Sequence, residues 1–305
     1  MEIFLYILMF AVALTVLIKS SDWFILAAEQ VGLSWGASPF VIGLTIVAFG
    51  TSLPELATAV FAMLEDQPEI VLGNVVGSNI TNIFLVLGLL AVVSSKIDLD
   101  FDLFKSDIPA LLISAFMFWF MISDGGINAV EASIMLLALG VFIWSSFSDM
   151  EVEEDLIKKA GWKSYTMLVV GGALVYVSAK YTVDSIVLIS EAINIGTDVV
   201  SLTIVALGTS LPEVAVSITA ARRGNAGIAV GNVIGSNIFN TYIVVGVAAY
   251  LGPLNLTESL ADFSLPFMVA ATVILAVSSL SKQITRWEGY LYLLLYFYFI
   301  YYLFI

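Results

Sequence analysis

The chain contains no cysteine and no histidine. Disulfide scaffolds, thiolate or imidazole metal sites and Ser-His or Cys-His catalysis are therefore excluded, and we do not expect an enzyme. Any metal site has to be built from oxygen atoms, which are the ligands that hard cations prefer. We expect no bound cofactor.

Charged residues are also scarce. They make up 12% of the 305 residues, and 60% are hydrophobic, whereas about a quarter of a soluble domain is charged. The mean hydropathy of +1.03 therefore indicates that the chain lies in a lipid bilayer. A net charge of −14 argues against a nucleic-acid partner, and no obligatory protein partner is inferred. No basic region precedes the first apolar run, so we interpret that run as a spanning helix rather than a cleaved signal.

Ten stretches are long and apolar enough to approach the 20 or so residues that a spanning helix needs. The sequence thus predicts an all-α polytopic membrane protein with ten transmembrane helices, at about 3–30, 40–63, 70–93, 107–122, 128–147, 164–190, 199–220, 228–250, 263–280 and 287–304.

The basic residues predict the orientation. With the N-terminus outside, every basic residue in a loop falls on the cytoplasmic side, as the positive-inside rule requires; these are Lys96, Lys105, Lys158, Lys159, Lys163, Arg222, Arg223, Lys282 and Arg286. We expect a multi-pass protein of the cell membrane with both termini extracellular.

Two segments each occur twice in the sequence. LTIVAFGTSLPE at 44–55 returns as LTIVALGTSLPE at 202–213, and GNVVGSNITN at 73–82 returns as GNVIGSNIFN at 231–240. Both pairs are 158 residues apart, a step that crosses five predicted spans. Because five is odd, the second copy enters the membrane upside down, as in transporters with inverted repeats. The predicted units are a first repeat at 1–147, a cytoplasmic linker at 148–163 and a second repeat at 164–305.

The repeated GTSLPE segment predicts a broken helix. Pro54 and Pro212 donate no hydrogen bond, and their rings clash with the carbonyls of Gly50 and Gly208. We expect free carbonyls around Ala48–Thr51 and Ala206–Thr209, which carry partial negative charge and attract cations.

Each proline is followed by a glutamate, Glu55 or Glu213. Burying an ionised carboxylate in the membrane costs at least about 2.5–3.5 kcal/mol, and no lysine or arginine lies between the motif residues of these spans. Each glutamate must be protonated, contact water or hold a cation. Two of them facing each other across a pseudo-two-fold axis suit a divalent ion.

The second motif adds a polar stripe at four-residue spacing, formed by Asn74, Ser78, Asn82 and Asn232, Ser236, Asn240. The stripe is either a cavity wall or a helix–helix contact. The neighbouring glycines favour packing, and Asn74, Asn79, Asn232 and Asn237 favour interhelical hydrogen bonds over cation binding. On the first and sixth spans we expect ion pairs within each helix, Lys19 with Asp22 and Lys180 with Asp184.

At these residues the sequence resembles the cation/calcium exchanger superfamily, and most closely its sodium/calcium exchanger branch of prokaryotic type. The resemblance covers essentially the whole chain and both copies of the two motifs. It implies a secondary antiporter that works by alternating access, with sodium and calcium as transported substrates. Potassium-dependent relatives, and some archaeal exchangers, carry Asp where this chain has Asn240. Asparagine at both position 82 and position 240 resembles the potassium-independent animal exchangers and argues against potassium co-transport.

The resemblance also implies the cation ligands. They are the carboxylates of Glu55 and Glu213, the hydroxyls of Thr51, Ser52, Ser78, Thr209, Ser210 and Ser236, the backbone carbonyls of Ala48 and Ala206, and the side chains of Asn82 and Asn240. A proton-coupled calcium exchanger of the same superfamily is the nearest alternative, and a cation channel is a more distant one. A membrane-embedded hydrolase would need a triad, a zinc site or an aspartyl pair that this sequence does not offer.

Overall fold

The computed structural model describes residues 2–94, 96–99, 103–148, 159–192, 208–258 and 260–303, and most of them are α-helical. In the first half the helices are α1 (Glu2–Ser34), α2 (Pro39–Ile42), α3 (Ala48–Thr51), α4 (Leu53–Leu64), α5 (Pro68–Ile80), α6 (Leu87–Ser94), α7 (Asp107–Ile122) and α8 (Ala129–Ser148). In the second half they are α9 (Trp162–Ala192), α10 (Leu211–Arg222), α11 (Ala226–Phe239), α12 (Val245–Leu251), α13 (Leu265–Ser279) and α14 (Arg286–Leu303).

Within these described residues, 7 helices are long and apolar enough to cross a membrane. The other three predicted spans fall short of that criterion for different reasons. Helix α7 has 16 residues, α10 adjoins residues that the structure does not describe, and α14 is rich in tyrosine and begins with Arg286 and Glu288. The number of ten spans therefore stays a prediction.

Two short antiparallel strand pairs depart from the all-α prediction. Strand β1 (Lys96–Asp98) pairs with β4 (Gln283–Thr285), and β2 (Gly126–Ile127) pairs with β3 (Leu254–Asn255). The strands lie between helices, where the helical ladder has ended and backbone groups need other partners. Strands of two or three residues carry too little periodicity to be predicted from the sequence.

The register of the strand pairs repeats the 158-residue offset. Lys96 lies opposite Thr285 in the first pair, and Leu254 lies opposite Ile127 in the second. Leu254 is the equivalent of Lys96, and Thr285 is the equivalent of Ile127. The two strand pairs are therefore related by the repeat. The strand that the first half gives to one pair corresponds to the strand that the second half gives to the other pair.

The long helices α1 and α9 are equivalent by the same offset and pack against each other along their length. Ser164 Oγ donates to Gln30 Oε1 at 2.7 Å, Gly171 lies against Phe24, and Ser178 lies near Val12. Residue numbers rise along one helix as they fall along the other, so the two helices are antiparallel.

The predicted ion pair between Lys19 and Asp22 is wrong. Arg223 Nε donates to Asp22 Oδ1 at 3.0 Å, so Asp22 is paired with the end of α10 rather than with its own helix. Among the described residues Lys180 and Asp184 likewise form no ion pair; both line a cavity instead. Tertiary contacts decide these partners, and helical spacing alone could not show them.

Helix α11 approaches the second span very closely through its two glycines. A Cβ atom on Gly231 would lie 2.4 Å from the carbonyl oxygen of Phe40, and one on Gly235 would lie 2.2 Å from that of Leu44. This supports the packing interpretation of the glycine seam for the second copy. The residues equivalent to Phe40 and Leu44 lie outside the described part of the chain.

We predict that Gly235→Ala lowers the melting temperature of the detergent-solubilised protein, because a methyl group there overlaps backbone, a strain of about 1–3 kcal/mol. The matched control is Gly140→Ala on α8, where an added Cβ meets nothing within 4 Å. Alanine is the better helix former at that position, so the control is expected to melt no lower than the parent. Equal melting temperatures for both variants would contradict the close approach.

Candidate cation site

In both halves a new helix begins directly after the serine of the repeated motif, and in the first half the structure also describes the helix that ends before it. Helix α3 ends at Thr51, Ser52 has φ −84 and ψ −1, and α4 begins at Leu53. In the second half Ser210 has φ −86 and ψ 1, and α10 begins at Leu211. The break predicted from the sequence is confirmed in the described residues.

The break brings two opposite helix ends together. The last carbonyls of α3 and the first amides of α4 meet at Ser52, so partial negative and positive charges lie side by side. Glu55 and Glu213 each stand in the first turn of the helix that follows the break. At this position each carboxyl group faces the positive end of the helix dipole.

Both glutamates are completely buried. Each has 0% of its surface exposed, and within the described residues none of their four carboxylate oxygens has a hydrogen-bond partner. Glu55 is close enough to Glu213 for their charges to interact. Two ionised carboxylates buried without a basic partner are a strongly unfavourable arrangement, which a cation between them or a proton would relieve.

Hydroxyl and amide groups surround the glutamates in a symmetric pattern. Thr51 Oγ1 donates to Asn232 Oδ1 at 3.0 Å, and Thr209 Oγ1 donates to Asn74 Oδ1 at 2.9 Å. The same threonine hydroxyls lie 3.3 Å from Ser236 Oγ and 3.2 Å from Ser78 Oγ, respectively. Each threonine is thus held by the second motif of the other half.

Several buried oxygen atoms at this place have no protein partner in the part of the chain that the structure describes. Beside the carboxylates they are Ser52 Oγ, Ser210 Oγ, Asn82 Oδ1 and Asn240 Oδ1. Unpartnered buried oxygens are rare in proteins and call for a ligand. The described residues hold no cluster of three or more acidic, histidine or cysteine side chains, so a cation here would meet two carboxylates and otherwise neutral oxygens.

The structure brings eleven of the twelve predicted ligand residues into the two broken helices and the two helices that pack on them. Ala206 lies outside the described residues. The Ala48 carbonyl accepts the backbone amide of Ser52 at 3.0 Å, and its oxygen lies 3.3 Å from the hydroxyl oxygen of Thr51. It would serve a cation only through its remaining lone-pair capacity.

Wide π-helical turns were not expected from the sequence. They occupy Gly43–Val47, Thr81–Val86, Asn240–Val244 and Leu260–Ser264. Two of them begin at or next to the predicted ligands Asn82 and Asn240. Such turns are frequent at functional sites because they displace side chains from the regular helical positions.

The interhelical hydrogen bonds expected of Asn74, Asn79, Asn232 and Asn237 are present. Sequence reasoning missed two of their partners. Asn232 Nδ2 donates to Ser217 Oγ at 2.9 Å, and Asn79 Nδ2 donates to Thr241 Oγ1 at 3.0 Å. Asn82 Nδ2 donates to Asn237 Oδ1 at 3.2 Å, which leaves its own carbonyl oxygen free. Ser217 and Thr241 correspond to alanine and isoleucine in the first half, so the repeat carried no signal for them.

A cavity of about 270 Å³ reaches the site from one side. It lies between α4, α9 and α10, and its lining includes Thr58, Lys180, Asp184 and the predicted ligand Thr209. Among the described residues, the oxygen site therefore borders an open cavity on this side.

A helical membrane protein with an oxygen-lined site at two broken helices has the build of an ion transporter. The sequence profile of the sodium/calcium exchanger protein family matches residues 5–148 and 163–305. This chain belongs to that family.

Individual relatives agree with the family profile. The sodium/calcium exchanger MaX1 of Methanosarcina acetivorans is 32% identical over 95% of both chains. An uncharacterized membrane protein of Methanocaldococcus jannaschii is 35% identical over 94% of both. A structure of the sodium-calcium exchanger NCX_Mj, soaked with Na⁺ and Sr²⁺, superimposes with a TM-score of 0.85 at 34% identity and 97% coverage of both chains. The relatives are transporters and not enzymes, and they support cation/calcium exchange.

We predict that Asn232→Leu raises the calcium concentration needed for half-maximal transport by roughly fivefold, because one buried hydrogen bond to Thr51 contributes about 1 kcal/mol. Calcium-45 uptake into proteoliposomes measures this. The matched variant Ser217→Ala removes only the support behind Asn232, so a smaller change is expected. An unchanged calcium dependence in Asn232→Leu would show that Thr51 needs no such positioning.

Proposed function

We propose that the protein exchanges sodium for calcium across the cell membrane by alternating access, without potassium. The observation that carries this proposal is the pair of fully buried glutamates, Glu55 and Glu213, beside unpartnered hydroxyl and amide oxygens. Carboxylates and neutral oxygens suit both calcium and sodium. One set of oxygens cannot hold both loads at once, so the two ions would compete.

The charge of the site favours potassium-independent exchange. Only Glu55 and Glu213 supply formal charge among the predicted ligands, since positions 82 and 240 are both asparagine. A single divalent ion balances two carboxylates. The side chains of Asn82 and Asn240 would offer neutral oxygen ligands to a sodium ion. Neither residue supplies the third negative charge that potassium-dependent relatives have at position 240.

Alternating access follows from an inverted repeat. We take the halves to be 1–147 and 164–305, joined by a linker at 148–163. Antiparallel packing of the equivalent helices α1 and α9, together with the exchanged strand pairs, supports this division. A site between two inverted halves can open to either side by the same motion run in opposite directions.

An empty site is expected to switch poorly. Closing it without a cation would bury two unpaired carboxylates away from water on both sides, at a cost of several kcal/mol. A site that holds its cations has no such cost. The movement of one ion across the membrane is therefore coupled to the return of the other. The distribution of basic residues supports an arrangement with both termini outside, in which the cavity at Thr58 would face the extracellular medium.

We predict that an outward sodium gradient drives calcium uptake. Proteoliposomes loaded with sodium are diluted into sodium-free buffer containing calcium-45, and uptake is compared with vesicles loaded with potassium or given a pH gradient. Only the sodium-loaded vesicles are expected to accumulate calcium. Uptake driven by the pH gradient instead would assign the protein to the proton-coupled branch and contradict the sodium proposal.

We also predict that Glu55→Gln and Glu213→Gln each reduce exchange by at least about a hundredfold, because one remaining carboxylate cannot balance a desolvated divalent ion. The measurement is the same uptake assay, with size-exclusion profiles to check folding. Glu258→Gln, which changes an exposed glutamate, serves as the control and is expected to transport normally. Normal calcium exchange by either site variant would refute the assigned site.

A further inference from the structure

The ends of α4 and α10 are equivalent turns that carry opposite charges. Arg223 follows α10, and its equivalent Glu65 follows α4. Arg223 N donates to Thr219 O at 3.2 Å, and Glu65 N donates to Phe61 O at 3.0 Å. The next residues, Gly224 and Asp66, both have positive φ, at 81 and 56. The backbone is thus the same in both halves, and only the charge is reversed.

The long helices carry the matching reversal. Asp22 on α1 is equivalent to Lys180 on α9. The same 158-residue offset relates Ser20 and Ser178, whose hydroxyls both bond to a carbonyl of their own helix. The pair Asp22–Arg223 in one half therefore corresponds to Lys180–Glu65 in the other, with both signs exchanged.

Only one of these pairs is formed. Arg223 Nε donates to Asp22 Oδ1 at 3.0 Å, and both side chains are about one-third exposed. Beside it, Asn225 Nδ2 donates to Glu29 Oε1 at 3.3 Å. Lys180 and Glu65 are exposed, and neither makes an ion pair among the described residues.

The packing of the helices shows the same asymmetry. Helix α1 packs closely against α10. The equivalent helices α9 and α4 are instead separated by the cavity of about 270 Å³, which Lys180 and Thr58 line from its two sides. One side of the molecule is closed at an ion pair, and the symmetric side is open where the second pair would form.

We propose that Asp22–Arg223 and Lys180–Glu65 are two alternative latches, each of which closes one side of the transporter. In the opposite state the inverted halves exchange roles, so α9 meets α4, the Lys180–Glu65 pair forms and the Asp22–Arg223 pair opens. This inference rests on the alternating access proposed above.

The two latches are not equally strong. The hydrogen bond between Asn225 and Glu29 has no equivalent that preserves its chemistry, because position 187 is valine. The closed state held by Asp22 and Arg223 has this additional contact. Removing either ion pair is expected to change the ratio of the two states by about two- to fivefold, the range of a partly exposed ion pair.

The absence of natural cysteine permits a direct test. Asp22→Cys with Arg223→Cys reports one latch, and Glu65→Cys with Lys180→Cys reports the other. Long ion-paired side chains hold their backbones further apart than a disulfide allows, so a short bis-methanethiosulfonate reagent is used on purified protein in liposomes. Both pairs are expected to cross-link, and each cross-link is expected to block calcium-45 uptake until a reductant restores it.

The coupling between the latches is tested with single charge removals. Arg223→Gln is expected to raise cross-linking of the 65/180 pair, and Glu65→Gln is expected to raise that of the 22/223 pair. The controls are their sequence neighbours Arg222→Gln and Asp66→Asn, which change the same charges and are expected to have no effect. Asparagine accepts the positive φ of Asp66.

Two results would overturn the proposal: a 65/180 pair that never cross-links, or cross-linking that Arg223→Gln leaves unchanged. Cross-linking is read from gel mobility without transport, so it remains informative even if the protein exchanges ions other than sodium and calcium. Should the cysteine pair fold poorly, the charge-exchanged variant Lys180→Glu with Glu65→Lys replaces it. That variant is expected to transport normally, and the two single changes are expected to slow transport.

Discussion

The structure depends on the burial of two carboxylates in a membrane protein without a basic residue to neutralise them. Glu55 and Glu213 have no exposed surface and no hydrogen-bond partner among the described residues. Neither lipid nor protein compensates two such charges at a tolerable cost. A cation or a proton would, and for a cation the broken helices offer further oxygens because proline and serine end one helix and begin the next. The local instability of the GTSLPE segment is therefore the source of its chemistry.

Symmetry explains how one short motif builds a complete site. Thr51 is held by Asn232, and Thr209 is held by Asn74, so each half completes the other. The same exchange appears in the strand register and in the antiparallel packing of α1 on α9. Under the alternating access proposed above, a two-fold site would offer the same contacts in both states, and features that break the symmetry would favour one of them. The Asp22–Arg223 pair and the open cavity beside Lys180 are such features.

The parts that the sequence predicted are those set by hydropathy, proline and repetition. The predicted fourth span at 107–122 coincides with α7, and the helix breaks fall at Ser52 and Ser210 as the prolines require. The candidate glutamates are buried at those breaks. Contacts between distant side chains were not predictable: helical spacing assigned Asp22 to Lys19, while packing of α1 on α10 gives it to Arg223. Ser217 and Thr241 were not predicted because their equivalents in the first half are apolar. The π turns were not predicted because no residue pattern marks them.

The central claim is that sodium and calcium compete for one doubly charged site. Equilibrium binding of calcium-45 to the purified protein, measured at increasing sodium concentrations with ionic strength held constant by potassium, tests it most directly. The account predicts that the apparent dissociation constant for calcium rises with sodium until calcium is fully displaced. It also predicts the same calcium binding when choline is used in place of potassium to hold the ionic strength. Calcium binding that is unchanged by sodium, or that only acid displaces, would contradict it.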